Sequence, residues 1–255
     1  MCGRFVITSP PAALRRIFGY IEQPNFPPRH NIAPTQPIPV IILENGVRHF
    51  RLMRWGLLPG WVEDPRKFTL LFNARAETVR EKPAFKNAMK RRRCLIPADG
   101  YYEGQACEKR KRPHFIHRRD GGPIGLAGLA ETWIGPNGEE LDTVAIVTAP
   151  ANADLAVLHD RVPVTIAPGD FDCWLDCGAH DAEAAMALLI APEQGEFAWH
   201  EVSTRVNRAA NDDVQLILPI TAEEMAAEEP MPAKRPPPRK PLPVSPEDDG
   251  QGSLF

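Results

Sequence analysis

The apolar residues of this chain come in short runs, and breakers interrupt them throughout: 28 prolines and 18 glycines are spread over 255 residues. A run of four to eight apolar or β-branched residues between such breakers is long enough for a strand and too short for most helices. FVIT, PIPVIIL, VRHFRLM, PHFIHR, GPIGLAGLAETW, LDTVAIVTA, VPVTIA and FAWHEVS all read this way. PIPVIIL and VRHFRLM flank Glu44-Asn45-Gly46, and Asn-Gly between such runs is a strong hairpin signal. RCLIPADGYYEG reads as two short strands around a turn. Helical spacing is confined to PAALRRIFGY, to KPAFKNAMKRRR with Pro83 in its first turn, to NADLAVLHD with an Asn cap, and to DFDCWLDC and DAEAAMALLI. Strands outnumber helices and do not alternate regularly with them. The expected fold is α+β: one domain with a mixed, barrel-like β core flanked by short helices, in preference to a doubly wound sheet.

From Ala222 the composition changes. The remaining residues are Pro-rich, charged and almost free of aromatics, which is too little apolar surface to offset ordering entropy. A domain over 2–221 and a disordered tail over 222–255 are expected. No apolar run approaches the roughly 18 residues of a membrane span, and no secretory signal is visible. The five cysteines (2, 94, 107, 173 and 177) form neither a disulfide framework nor a zinc ribbon. A reducing, cytoplasmic setting, a monomer and no metal or cofactor are expected.

Charge is distributed unevenly. Residues 1–120 carry a net +13 and the remainder −16, giving the overall −3. A basic front half points to a polyanionic partner, unless the two halves neutralise each other in the fold.

The chain opens MCGRF. Residue 2 is small, so removal of Met1 is expected, leaving Cys2 with a free α-amine and a thiol. Their reference pKa values, about 7.7–8.0 and about 8.5, make both nucleophiles partly available near neutrality. Such a 1,2-aminothiol attacks an acyl group through sulfur, as N-terminal-nucleophile hydrolases do, or condenses with an aldehyde through nitrogen and closes a thiazolidine through sulfur. An incidental buried cysteine is the third option. Three polar residues stand out in apolar or Gly-rich stretches. Asn73 follows KFTLL at the expected end of a strand, Glu103 lies among aromatics in ADGYYEG, and His159 sits at a helix end in LHDRVP. Each also has a structural reading: a turn cap, an arginine partner, a helix-end histidine.

MCGRF, RHNIAPTQ, RWGLLPGW, FNARAET, RCLIPADGYYEG and LHDRVPV, in that order, resemble the SOS-response-associated peptidase family, whose members are also called abasic-site processing proteins. The resemblance spans roughly residues 2–220 and implies the aldehyde branch. Such proteins bind single-stranded DNA containing an abasic site and form a thiazolidine DNA–protein cross-link through the N-terminal cysteine. It further implies Cys2 as nucleophile, Asn73 positioning it and the sugar, Glu103 as acid/base near the Cys2 amine, and His159 as proton donor for sugar opening. Weak lyase activity and the self-cleavage of Met1 that gives the family its peptidase label belong to the same expectation. The resemblance makes Arg4 and Arg75 the expected phosphate contacts. Trp55 and Trp61 are expected to stack on bases or to pack in the core. Asn31 and Pro34 are expected to shape the pocket floor. Arg91-Arg92-Arg93 reads as a solvated helix end or a phosphate contact. Two positions depart from the family pattern: Gly104 replaces a tryptophan, and Lys82 stands in for a phosphate-binding arginine.

The last five residues, QGSLF, resemble the bacterial sliding-clamp-binding pentapeptide: Gln251 would fix register, Ser253 occupy the small polar position, and Leu254-Phe255 anchor the peptide. A flexible tail of about 30 residues spans at least ~30 Å and would hold the domain at replication forks, associated with the nucleoid. A merely solubilising tail is the other reading.

Overall fold

A computed structural model describes residues 2–106 and 111–228. Thirteen strands among these residues form two sheets. In chain order the elements are β1 (Arg4–Ile7), α1 (Pro11–Phe18), β2 (Arg29–Ile32), β3 (Pro37–Glu44), β4 (Val47–Trp55), β5 (Asn73–Arg75), α2 (Pro83–Arg91), β6 (Arg93–Ala98), β7 (Gly100–Ala106), β8 (Lys111–Arg118), β9 (Ile124–Ile134), β10 (Glu140–Pro150), α3 (Ala153–Ala156), β11 (Arg161–Pro163), β12 (Thr165–Ile166), α4 (Phe171–Leu175), α5 (Ala182–Met186), β13 (Phe197–Glu201) and α6 (Ala222–Ala227).

The larger sheet runs β11-β10-β4-β3-β6-β9-β12, and an additional pairing joins β10 to β9. Strands β10, β4, β3, β6 and β9 therefore close into a five-stranded barrel. It is mixed because β10 and β4 run parallel while the other pairs are antiparallel. Ile38, Val40, Ile41, Leu95, Leu129 and Ile146 on its strands are all buried. The second sheet, β13-β8-β7-β1-β2, is antiparallel and packs on the barrel.

The Asn-Gly turn is as expected: Asn45 and Gly46 both have positive φ, and β3 pairs with β4 from Glu44–Val47 onward. RCLIPADGYYEG does form two strands, but they belong to different sheets. Asp99 between them accepts from the Thr8 and Ser9 amides and the Ser9 hydroxyl, tying the sheet-to-sheet crossing to the end of β1. That crossing brings GYYEG beside MCGRF.

Three boundaries differ from expectation. KFTLL is not a strand, and Asn73 begins β5 rather than ending a strand. VPVTIA is split into β11 and β12, which pair with different neighbours. The segment from Ala222 is not all tail. Thr221 and Glu224 form a reciprocal capping box that starts α6, and Glu228 Oε1 accepts from the Ser203 hydroxyl (2.6 Å) and the Thr204 amide (2.8 Å). No helix among the described residues is long and apolar enough to cross a membrane.

Candidate active site at the first strand

Cys2 precedes β1 and is fully buried in the main core cluster. Asn73 Nδ2 donates to the Cys2 carbonyl at 2.8 Å. Strand β5 can place it there because Asn73, Ala74 and Arg75 pair in parallel with Ile146, Val147 and Thr148 of β10. The other end of the amide, Oδ1, is buried and has no hydrogen-bond partner among the described residues. Leaving such an acceptor unsatisfied costs about 1–3 kcal/mol.

Glu103 lies on β7, where Tyr102 pairs with Arg4 and Tyr101 with Phe5 of β1. Alternation puts its side chain on the Tyr101 face, level with the start of β1. Glu103 is 8% exposed. Burial, then the nearby Glu103 charge, push the Cys2 thiol up to about 12. Burial together with Cys2 and Glu103 likewise holds the Tyr101 phenol well above its ordinary range. Cys2, Tyr101 and Glu103 thus share one low-dielectric site.

The His159 loop is docked onto the same strand. Asn152 caps α3 through the Leu155 amide, and Gln105 Nε2 of β7 donates to the Val157 carbonyl at 3.0 Å. Gln105 is two residues from Glu103 and Val157 two from His159. His159 Nδ1 lies 3.0 Å from the Arg161 amide and 2.7 Å from an Asp160 carboxylate oxygen. An amide only donates, so Nδ1 accepts from it in the neutral ring and the proton sits on Nε2.

Sequence reasoning passed over Arg161 and Glu77, although both lie in quoted motifs. Arg161 makes a two-pronged pair with Glu77 at 2.7 and 2.9 Å and also donates to Thr148. The pair fastens the His159 loop to the turn after β5. Their adjacency could not be read from sequence because 84 residues separate them.

The expected DNA contacts divide sharply. Arg75 is exposed, and Trp61 is 59% exposed, standing edge-on to Phe68. Trp55 is a correction: it is fully buried, edge-on to Phe5, with Nε1 donating to the Phe72 carbonyl at 2.9 Å. A ring inside the barrel cannot meet a base. Arg4 is a second correction, because its guanidinium donates to Asn31 Oδ1 (2.9 Å), the Val206 carbonyl (2.6 Å) and the Asn207 carbonyl (3.0 Å). These donors build the wall of the site instead of holding phosphate. Asn31 is fully buried and donates to carbonyls of the 206–211 loop, so it braces that wall from behind. Pro34 is half-buried in the loop before β3. In the Arg91–Arg93 run, Arg91 and Arg92 are exposed but Arg93 is 2% exposed and donates to the Met89, Trp174, Asp176 and His180 carbonyls. It is neither solvated nor free for phosphate. Gly104 is covered by the Lys111 stem, whose Cδ would lie 3.4 Å from an added Cβ. Lys111, Arg4 and Tyr102 line a cavity of about 250 Å³ that adjoins Glu103.

The family model of the SOS response associated peptidase (SRAP) matches residues 1–209. Abasic site processing protein YoqW of Bacillus subtilis is 33% identical over 221 residues, covering 85% of this chain and 99% of that protein. YedK of Escherichia coli, likewise named an abasic site processing protein, is 32% identical over 195 residues, 75% of this chain and 85% of its own length. Among solved structures, a Bacteroides thetaiotaomicron protein superposes with a TM-score of 0.77 at 21% identity, covering 86% of this chain and all of that one. A phage-related protein of Bordetella bronchiseptica does so with 0.65 at 28% identity, covering 79% and 94%.

Proposed function

This chain belongs to the SOS response associated peptidase family, and we propose from that premise that it processes abasic sites in single-stranded DNA by forming a covalent cross-link through Cys2. The observation that carries the reading is the setting of Cys2: its carbonyl is held by Asn73 and its thiol lies in a buried site beside Glu103.

With Met1 removed, the Cys2 amine attacks C1′ of the ring-opened sugar. The carbinolamine loses its hydroxyl as water, with the proton supplied from His159, and an iminium remains. The Cys2 thiol then adds to that carbon, its proton passes to Glu103, and the thiazolidine closes. One water leaves overall. Nitrogen acts before sulfur because a thiol pushed up to about 12 is protonated at neutral pH. An iminium can also undergo β-elimination at the 3′ phosphate, so lyase activity is weak to the extent that thiol closure is fast. Self-cleavage and an ordinary methionine aminopeptidase account for Met1 removal equally well.

Arg75 and Trp61 serve as exposed phosphate and base contacts. Residues Gln251, Ser253, Leu254 and Phe255 lie outside the described residues; in this reading they dock the protein on the bacterial sliding clamp. The protein acts as a monomer in the cytoplasm, at the nucleoid, without metal or cofactor.

The test is intact-mass analysis after mixing the protein with an oligonucleotide carrying one abasic site. The expected product has the mass of the Met1-less protein plus the oligonucleotide minus one water. It survives denaturation and is absent with Cys2→Ala. Mature wild-type protein that yields no adduct would sink the proposal.

A further inference from the structure

Helix α2 begins eight residues after Arg75 and buries Phe85, Ala88 and Met89 against the barrel. Along one flank stand Lys82, at the N-cap, and Lys86 and Lys90 of the helix, all exposed. The four-residue spacing sets them in one row about 12 Å long. None of the three makes an ion pair among the described residues, and neither does the neighbouring Arg91. The acids nearby are otherwise engaged or offset. Glu183 pairs with Arg80 and Asp181 caps α5, in the recess that Lys86 and Lys90 line, and Glu81 is exposed before the helix.

This row is unfavourable for an isolated helix. Like charges four residues apart repel. Lys90 and Arg91 at least sit at the C-terminal end, where the helix dipole favours cations. Lys82 and Lys86 sit at the opposite end, where it disfavours them, and the first turn holds no acid. A polyanion laid along the row relieves both penalties.

We propose that Lys86 and Lys90 form a phosphate track for the DNA strand flanking the lesion, extending the contact expected at Lys82. The inference rests on the DNA-binding reading above and extends it: the protein grips several nucleotides beyond the damaged one. With about 3.4 Å per stacked nucleotide, the row covers three to four phosphates.

The experiment is a salt titration of equilibrium binding. The probes are single-stranded oligonucleotides bearing a tetrahydrofuran abasic analogue, which cannot be cross-linked. One has two-nucleotide flanks, another ten-nucleotide flanks. Each phosphate contact contributes about 0.7 to the slope of log K against log salt for single strands. Lys86→Gln/Lys90→Gln should lower the slope by about 1.4 on the long probe and leave it unchanged on the short one. Lys86→Arg/Lys90→Arg should keep the wild-type slope. The double Gln variant should melt no lower than wild type and keep the wild-type rate of adduct formation at saturating abasic DNA. An unchanged slope on the long probe, or an equal loss on both probes, overturns the track. Failure of the cross-linking reading shows separately, as a missing wild-type adduct, and leaves the slope test intact.

Discussion

At Cys2 the environment reverses what the residue type alone suggests. A free cysteine near a chain terminus would be partly thiolate at mildly alkaline pH. Here burial and then the Glu103 charge push the thiol up to about 12. Raising an acid's pKa favours its protonated form, so the thiolate fraction stays negligible until the pH nears that value. Protein that retains Met1 should therefore resist iodoacetamide at Cys2 from pH 7 to 9, while the partly exposed Cys173 and Cys177 are alkylated; peptide mass mapping reads both. Rapid labelling of Cys2 at pH 8 would show that the thiol is neither buried nor suppressed. The residues proposed to react stood out in the sequence because Cys2, Asn73, Glu103 and His159 are chemically conspicuous in their stretches. The roles of Trp55, Arg4 and Arg93 did not. An indole or a guanidinium looks the same in sequence whether it faces solvent or an internal acceptor, and partners as distant as Val206 decide between the two.

Among the elements, those with local signals were the readable ones. Asn45-Gly46 specifies its hairpin because both residues adopt positive φ, and Asn152 caps α3 through its own side chain. The crossing from β6 to β7 has no such signal, since its two strands join different sheets. What permits it is Gly100: an added Cβ would lie 2.5 Å from the Phe115 ring and 2.6 Å from the Ile116 carbonyl oxygen. The two glycines are therefore required for different reasons, and their alanine variants should behave differently. At Gly46 nothing lies within 4 Å, so Gly46→Ala carries only the left-handed backbone cost, about 1–2 kcal/mol, and should leave adduct formation unchanged. Gly100→Ala must push β7 from β8, at a cost of about 1–3 kcal/mol or more, and should also slow adduct formation because Glu103 moves with the strand. Urea unfolding and single-turnover cross-linking separate the two. Wild-type adduct kinetics in Gly100→Ala would mean that β7 tolerates the displacement without disturbing the site.

Across the whole molecule the uneven charge resolves into two parts. Much of it is internal: Arg29–Asp212, Arg48–Asp172, Arg80–Glu183, Arg92–Glu131 and Arg112–Glu201 all join the basic front half to the acidic remainder. What stays unpaired among the described residues includes Arg75, Lys82 and the lysines of α2. The composition change at Ala222 has a similar double character. It falls after the last strand, yet Glu228 reaches back to Ser203 and Thr204. Those residues lead the 3-10 turn Thr204–Asn207, whose Val206 and Asn207 carbonyls hold Arg4, two residues from Cys2. A segment that reads as tail is thus linked by hydrogen bonds to the reactive terminus. Two truncations test this. Ending the chain after Glu228 should leave melting temperature and adduct formation as in the full chain and abolish binding to the sliding clamp. Ending it after Thr221 also removes α6 and the Glu228 acceptor, so the 204–207 turn loosens, melting temperature falls by several degrees, consistent with about 1–2 kcal/mol of lost hydrogen bonding, and adduct formation slows. Equal behaviour of the two truncations would mean that the wall around Arg4 stands without α6, and undiminished clamp binding after truncation at Glu228 would remove the tether.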